Sequence, residues 1–207
     1  MEELNSAAVV PEWLVELHGH LCPFLVVGWR MGQEALQRLG AEREKDQGLW
    51  LFTELGSDRL RAQSCYEDGL QAATGCTAGK GTLHRLDFGK VAAVLARPGG
   101  SALRIALRPE ICDALAGAPY AAERRQGTAA SQVSAAAVAE AIERVTRLDP
   151  QELFSFEQID HVSFRPVPGD PARTRCESCG EYVFREAAVE VDGKTLCRPC
   201  AHASQPL

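Results

Sequence analysis

This 207-residue chain has no long basic block, no apolar run of membrane length and no positively charged amino terminus, and each absence narrows its function. Acidic residues outnumber basic ones, 28 to 22, giving a net charge of −6 and a pI near 5.4. A surface built mainly to grip nucleic-acid phosphates is therefore not expected. The longest apolar run, around Leu21 to Trp29, is interrupted by Pro23 and Gly28 and falls short of the roughly 18 residues a membrane span requires. Met1-Glu2-Glu3-Leu4 lacks the basic start of a secretory signal, which points to the cytoplasm. With 45% apolar residues, the chain can build one ordinary domain plus a small module.

Cysteine, in contrast, is plentiful, with eight residues. Four of them sit in two Cys-x-x-Cys pairs and two others in polar loops, a pattern that favours metal or redox chemistry in a reducing compartment over a disulfide framework. The densest chemistry is in His18-Gly19-His20-Leu21-Cys22-Pro23-Phe24. Imidazole and thiolate suit zinc and other borderline-soft transition metals, and the histidines can also carry protons near neutral pH. Pro23 in a first helical turn places Cys22 at the N-cap, where the helix dipole favours a thiolate.

Pro11 to Leu17 reads as a short helix that delivers the histidines. After Pro23, the spacing of Leu25, Val26, Trp29, Leu36 and Leu39 predicts a helix stopped by Gly40, with Arg30 solvated or turned toward the site as an anion clamp. Leu49 to Leu55 reads as a central strand, followed by a turn at Gly56-Ser57. Ser64 to Ala73 reads as a helix with Ser64 as N-cap and Glu67 completing a capping box, which puts Cys65 in its first turn. Thr74 to Thr82 is glycine-rich but fails the nucleotide-binding pattern, because three residues, not four, separate Gly75 from Gly79-Lys80 and Gly81 replaces the hydroxyl. It remains a tight turn that either is purely structural or presents Cys76, Thr77 and Lys80 at a cleft rim.

Val91 to Ala96 and Ala102 to Leu107, joined by Pro98-Gly99-Gly100, predict a hairpin with Arg104 facing outward. Cys112 stands alone and reads as core or incidental. Gly117 to Gln132 suggests a mobile connection or weak helix, and Ser134 to Leu148 a helix ending before Asp149-Pro150. The proline-rich stretch from Phe164 to Arg175 reads as a linker.

Beyond it, Cys176 and Cys179 pair, as do Cys197 and Cys200, with seventeen residues between the pairs. That spacing fits a tetrahedral Cys₄ zinc module with a hairpin across Tyr182 to Val191 turning at Asp192-Gly193. Four thiolates leave no open position, so this site is structural or used for docking, and His202 is not needed as a ligand. About thirty residues bury too little surface to fold unaided, so the metal supplies most of the stability. Arg173, Arg175, Arg185, Lys194 and Arg198 make the module locally basic, with few aromatics for stacking on nucleic acid.

His18-Gly-His20-Leu-Cys22-Pro23, the Gly28-x-Arg30-x-Gly32 helix, Cys65, Thr-Gly-Cys-Thr-x-Gly-Lys-Gly at 74–81 and Asp-Phe-Gly-Lys at 87–90 together resemble the FmdE family, named for formylmethanofuran dehydrogenase, over about residues 12–165. Phe24 departs from that pattern, which has glycine after Cys-Pro, and a ring there narrows the cleft. The resemblance implies an α+β core with a mixed or antiparallel sheet and packed helices over 1–165, a linker at 166–174 and a treble-clef-type zinc module over 175–207. It further implies an intertwined homodimer and a cleft metal held by His and Cys of the first motifs.

The expected function is thus a transition metal, zinc or similar, held by some combination of His18, His20, Cys22 and Cys65, with Cys22, Cys65 and His18 as the groups that would act on a bound molecule. The partner implied is a molybdenum or tungsten oxidoreductase, to which the protein would be a component or accessory. A metallochaperone docking through the finger and a metal-free thiol redox protein using Cys22, Cys65 and Cys76 are the alternatives.

Overall fold

The computed structural model describes residues 9–55, 64–167 and 169–202. The chain divides into two compact units, Met1–Arg165 and Pro166–Leu207. Among the described residues, no helix is long and apolar enough to cross a membrane.

The first unit is built on a five-stranded mixed sheet of β1 (Trp50–Thr53), β2 (Leu83–Arg85), β3 (Ala92–Ala96), β4 (Ala102–Leu107) and β5 (Phe154–Ile159) in the order β2-β1-β3-β4-β5. Only the β1–β2 pair is parallel. The predicted hairpin is β3–β4, and its register aligns Leu51, Leu95 and Leu103 on one face. That face joins the buried core with Leu25 of α2 (Pro23–Leu39), Leu70 of α3 (Tyr66–Thr74) and Ile142 and Val145 of α6 (Ala135–Thr146). The alternation of strand side chains sets these residues on one face.

The opposite face carries Trp50 and Phe52, with His84 stacked on both rings at 5.0 and 5.3 Å. Arg104 lies on this outward face, as expected, and clamps the buried Glu54 with two nitrogens at 2.6 and 2.8 Å. The reason is local: a buried carboxylate needs a fixed cation, and the guanidinium fork supplies two bonds at once.

The α1 helix (Glu12–His18) ends at Gly19, which is left-handed at φ 89° and turns the chain so that His18 and His20 come together. The α2 helix begins with Cys22 as N-cap and Pro23 in its first turn, and Gly40 ends it, all as the sequence predicts. Arg30 is neither solvated nor an anion clamp. Its guanidinium donates to the backbone carbonyls of Val145 and Leu148, satisfying acceptors that the end of α6 leaves open.

The closest approach in the unit is between α2 and α3. A Cβ on Gly28 would lie 1.9 Å from the Tyr66 carbonyl oxygen, one on Gly69 2.3 Å from the Leu25 carbonyl oxygen, and one on Gly32 2.6 Å from the Ala73 Cβ. Only glycine permits such contact of two backbones. Tyr66 then pins α3 to the sheet, its hydroxyl donating to the Ala92 carbonyl at 3.0 Å and accepting from the Leu55 N–H.

Two further expectations are corrected. The helix after Ser64 starts at Tyr66, with Cys65 rather than Ser64 at its N-cap. The Glu67 carboxylate does not close a capping box but accepts from Thr53 and Arg85 across to the sheet. Of the two readings left open for residues 117–132, a mobile connection or a weak helix, the structure shows the helical one: α4 (Pro109–Ala116) is followed by α5 (Pro119–Arg125) and a 3₁₀ turn at Ala130–Gln132. The turn expected at Gly56-Ser57 lies outside the described residues. Asp149 starts α7 (Pro150–Leu153) with a reciprocal capping box to Glu152.

The second unit holds two hairpins, β6 (Arg173–Arg175) with β7 (Tyr182–Phe184) and β8 (Ala188–Val191) with β9 (Lys194–Cys197), followed by α8 (Arg198–Ala201). β6 begins inside the stretch that composition marks as linker. Tyr182 to Val191 is not one strand but two, separated by a 3₁₀ turn at Arg185–Ala187. The turn at Asp192-Gly193, positive in φ at both residues, joins β8 to β9 as a two-residue hairpin loop requires.

Replacing Gly28 with alanine is expected to destabilise the protein by roughly 3 kcal/mol, at the upper end for overpacking because the obstacle is backbone. Urea unfolding followed by circular dichroism measures this, and Gly79→Ala, where nothing lies within 4 Å, is the neutral control.

Candidate metal centre

The approach of α2 and α3 places the starts of both helices side by side, and with them their N-cap residues Cys22 and Cys65. The α1–α2 corner adds His18 and His20. One donor atom from each of these four residues lies within 4.8 Å of the others. Tetrahedral coordination at about 2.0–2.3 Å gives ligand-to-ligand edges of roughly 3.4–3.8 Å, so shifts of about an ångström would close the set around one ion.

The hydrogen bonds tell which atoms are available. His18 has Nδ1 2.7 Å from Asp68 Oδ2, which leaves Nε2 facing the sulfur of Cys22 at 4.0 Å. His20 has its Nε2 buried with no hydrogen-bond partner, a costly state for a polar atom unless something else satisfies it. The two imidazoles lie 4.4 Å apart. An ion among these atoms would bind the free nitrogen, and a carboxylate behind a histidine ligand is the arrangement that orients such ligands. The donor set therefore fits a metal.

The electrostatics follow from the same contacts. His18 is pushed up to about 9, first by its bond to Asp68 and then by Cys65. His20 is lowered, by burial and then by His18. The Cys22 thiol is raised because it donates to Cys65 and is buried, even though the N–H groups of Leu25 and Phe24 at the start of α2 oppose this. Cys65 is lowered by the bond from Cys22 and, against burial, by His18. The expected thiolate thus sits on Cys65, with Cys22 as its proton donor.

Cys76, Thr77 and Lys80 do not join this group. Cys65 and Cys76 lie beyond opposite ends of α3, and the glycine-rich segment spends its polar groups on itself and its neighbours. The Cys76 thiol donates to the Leu49 carbonyl at 3.4 Å, the Thr77 N–H to Thr82 Oγ1 at 3.1 Å, and Lys80 Nζ to the Glu44 carbonyl at 3.1 Å. Burial raises Cys76 to about 11. Two residues that sequence reading passed over do reach the centre. Asp68 lies one helical turn after Cys65, a spacing that was available as a signal. Tyr120 of α5 is buried and lies near enough to Cys22 and Cys65 to interact with both electrostatically, and no motif announces it.

In the second unit, Cys176, Cys179, Cys197 and Cys200 also bring one sulfur each to within 4.8 Å of the others, with Cys179 and Cys197 3.9 Å apart. The Cys176–Cys179 turn closes through the Gly180 N–H on the Cys176 carbonyl at 2.9 Å, with Gly180 left-handed. Backbone N–H groups of Cys179 and Cys197 aim at the Cys176 sulfur and lower its thiol to about 6. Cys197 and Cys200 bracket the start of α8. A turn, two hairpins and a short helix carrying the second pair form a module able to hold a metal ion. His202 is not among the four.

Metal entry should release protons. At pH 7 the metal-free centre holds one on His18 Nε2 and one on Cys22, whereas Cys65 and His20 are already unprotonated; both protons must leave on ligation. Calorimetry in buffers of different ionisation enthalpy should show this release, and affinity should rise with pH, less steeply once His18 is neutral above about 9 and only the Cys22 proton remains to be displaced. Asp68→Asn should weaken metal retention by about 10- to 100-fold in chelator competition while leaving the fold intact.

Comparison with known proteins places these features in context. Residues 17–155 match the family model described as FmdE, Molybdenum formylmethanofuran dehydrogenase operon. A probable S-adenosyl-L-methionine-binding protein of Archaeoglobus fulgidus is 32% identical over 218 aligned positions, which take in 97% of this chain and 55% of that protein, so the chain spans about half the length of this relative. Among solved structures, a tungsten formylmethanofuran dehydrogenase FmdE-like protein from Syntrophus aciditrophicus superposes with a TM-score of 0.59 at 18% identity. The match covers 95% of this chain and 92% of that one and shows the shared fold.

Proposed function

The chain belongs to the FmdE family, and from that premise we propose that it is a cytoplasmic metal-binding protein with two sites of different purpose. The core site holds a transition metal, zinc or one of similar preference, through His18, His20, Cys22 and Cys65. The site in the second unit holds a structural zinc through Cys176, Cys179, Cys197 and Cys200. The observation that carries the reading is the buried, unpartnered Nε2 of His20, on a residue grouped with three others whose donor atoms lie within 4.8 Å.

The two sites differ in what surrounds them. Cys₄ coordination among hairpins is closed and stabilises a module too small to fold on its own. The core set mixes two imidazoles and two thiols and has a titratable neighbour, Tyr120, against Cys22. Exchange of one ligand for a bound molecule is the kind of chemistry such a mixed set supports. The family description supports an accessory role beside a molybdenum or tungsten oxidoreductase, including delivery or docking, and the homodimer implied by the family belongs to the same proposal. The S-adenosyl-L-methionine named for the Archaeoglobus relative is not carried over, because 45% of that protein lies outside the matched region.

One observation favours a second reading. The Cys22 and Cys65 sulfurs lie within 4.8 Å of each other, close enough for the pair to cycle between dithiol and disulfide instead. Cys22→Ala/Cys65→Ala protein, purified anaerobically, separates the two. The metal reading expects metal content to drop from about two per chain to about one by mass spectrometry. Unchanged content together with a readily formed Cys22–Cys65 disulfide in the unmutated protein would leave only the redox reading.

A further inference from the structure

A cavity of about 270 Å³ lies directly beside the core centre, between the start of α2 and helices α4 and α5. Its walls are mostly hydrocarbon, including Phe24, Val91, Leu115 and Ala121, and Arg124 and Arg125 stand among its lining residues. Its volume is just under the range of about 300–1,000 Å³ typical of small-molecule sites.

Charge is the informative feature. In a chain of net charge −6, neither arginine is paired with a carboxylate among the described residues. Each gives one nitrogen to a backbone carbonyl, Arg124 to Thr128 and Arg125 to Ala116, and these contacts hold the side chains in place. The rest of each guanidinium fork remains for an anion. Two partly committed forks over a hydrocarbon wall suit a planar, singly charged group on an apolar body better than a heavily hydrated dianion.

The cavity also touches the centre. Pro23, the residue directly after Cys22, and Tyr120 both contribute to its wall, and Tyr120 and Arg124 are close enough to the centre to interact electrostatically with Cys22 and His20 respectively. A molecule in the cavity would therefore lie next to the candidate ligands. Phe24 sets one wall.

We infer that this cavity is a binding site for a small organic carboxylate, with the apolar body between Phe24, Leu115 and Tyr120 and the carboxylate at Arg124 and Arg125. The site stands on the cavity and its charges and does not require the metal assignment to be correct.

The test titrates the full-length protein, as purified, with benzoate, its neutral isostere benzamide, and acetate, which lacks the apolar body, following binding by calorimetry or ligand-observed NMR. Benzoate should bind at least about tenfold more tightly than either control, and Arg124→Gln/Arg125→Gln should remove that advantage, as expected for loss of a charge-assisted bond. Ala121→Phe should block benzoate by filling the cavity. Equal binding of benzoate and benzamide, benzoate binding unaltered by the arginine substitutions, or no saturable benzoate binding at millimolar concentration would each overturn the inference. Circular dichroism confirms that the variants are folded, and metal content measured on the same samples reports on the metal-binding proposal separately.

Discussion

The site depends on one steric constraint, the contact of two helix backbones at Gly28 and Gly69. Helices with side chains between them pack at about 8–10 Å, a separation that would hold their starting residues apart. With glycines at the crossing, α2 and α3 approach until carbonyl oxygens of one helix occupy the space a Cβ of the other would need. The N-cap residues of both then share one small volume. Sequence positions 22 and 65 become neighbours because of residues six and four positions further along their helices.

Around that contact, charged side chains work as positioners. Arg30 fastens α2 to the end of α6, the buried Glu67 ties α3 to Thr53 and Arg85, and Asp68 holds the His18 ring. Each is satisfied by a partner on another element. The helices that carry the donor atoms are thus anchored independently of any ion. A preformed set of this kind reduces the ordering that metal binding must bring about.

Much of this was legible in the sequence, and the exceptions share a cause. His18, His20 and Cys22 announce themselves by local spacing, and helix boundaries at Pro23 and Gly40 follow from backbone chemistry alone. Cys176, Cys179, Cys197 and Cys200 are equally plain. What sequence spacing does not carry is which partner a polar group finds. For Cys76 and Lys80 the sequence leaves a structural turn and a cleft rim equally open, and their bonds to Leu49 and Glu44 are what support the structural one. Arg30, read as solvated or an anion clamp, and Arg104, read as outward-facing, are both committed to acceptors on other elements. Tyr120 arrives from an alanine-rich stretch with no local pattern, because α5 is held by contacts, including its buried Tyr120, rather than by strong periodicity.

The wide separation of the core donors along the chain has a topological consequence. An ion joining the His18–Cys22 corner to Cys65 closes a loop of about 40 residues that contains β1. By the loop-entropy relation for cross-links, such a closure disfavours the denatured ensemble by roughly 4 kcal/mol. An ion held there would act as a removable cross-link between the start of α2 and the start of α3.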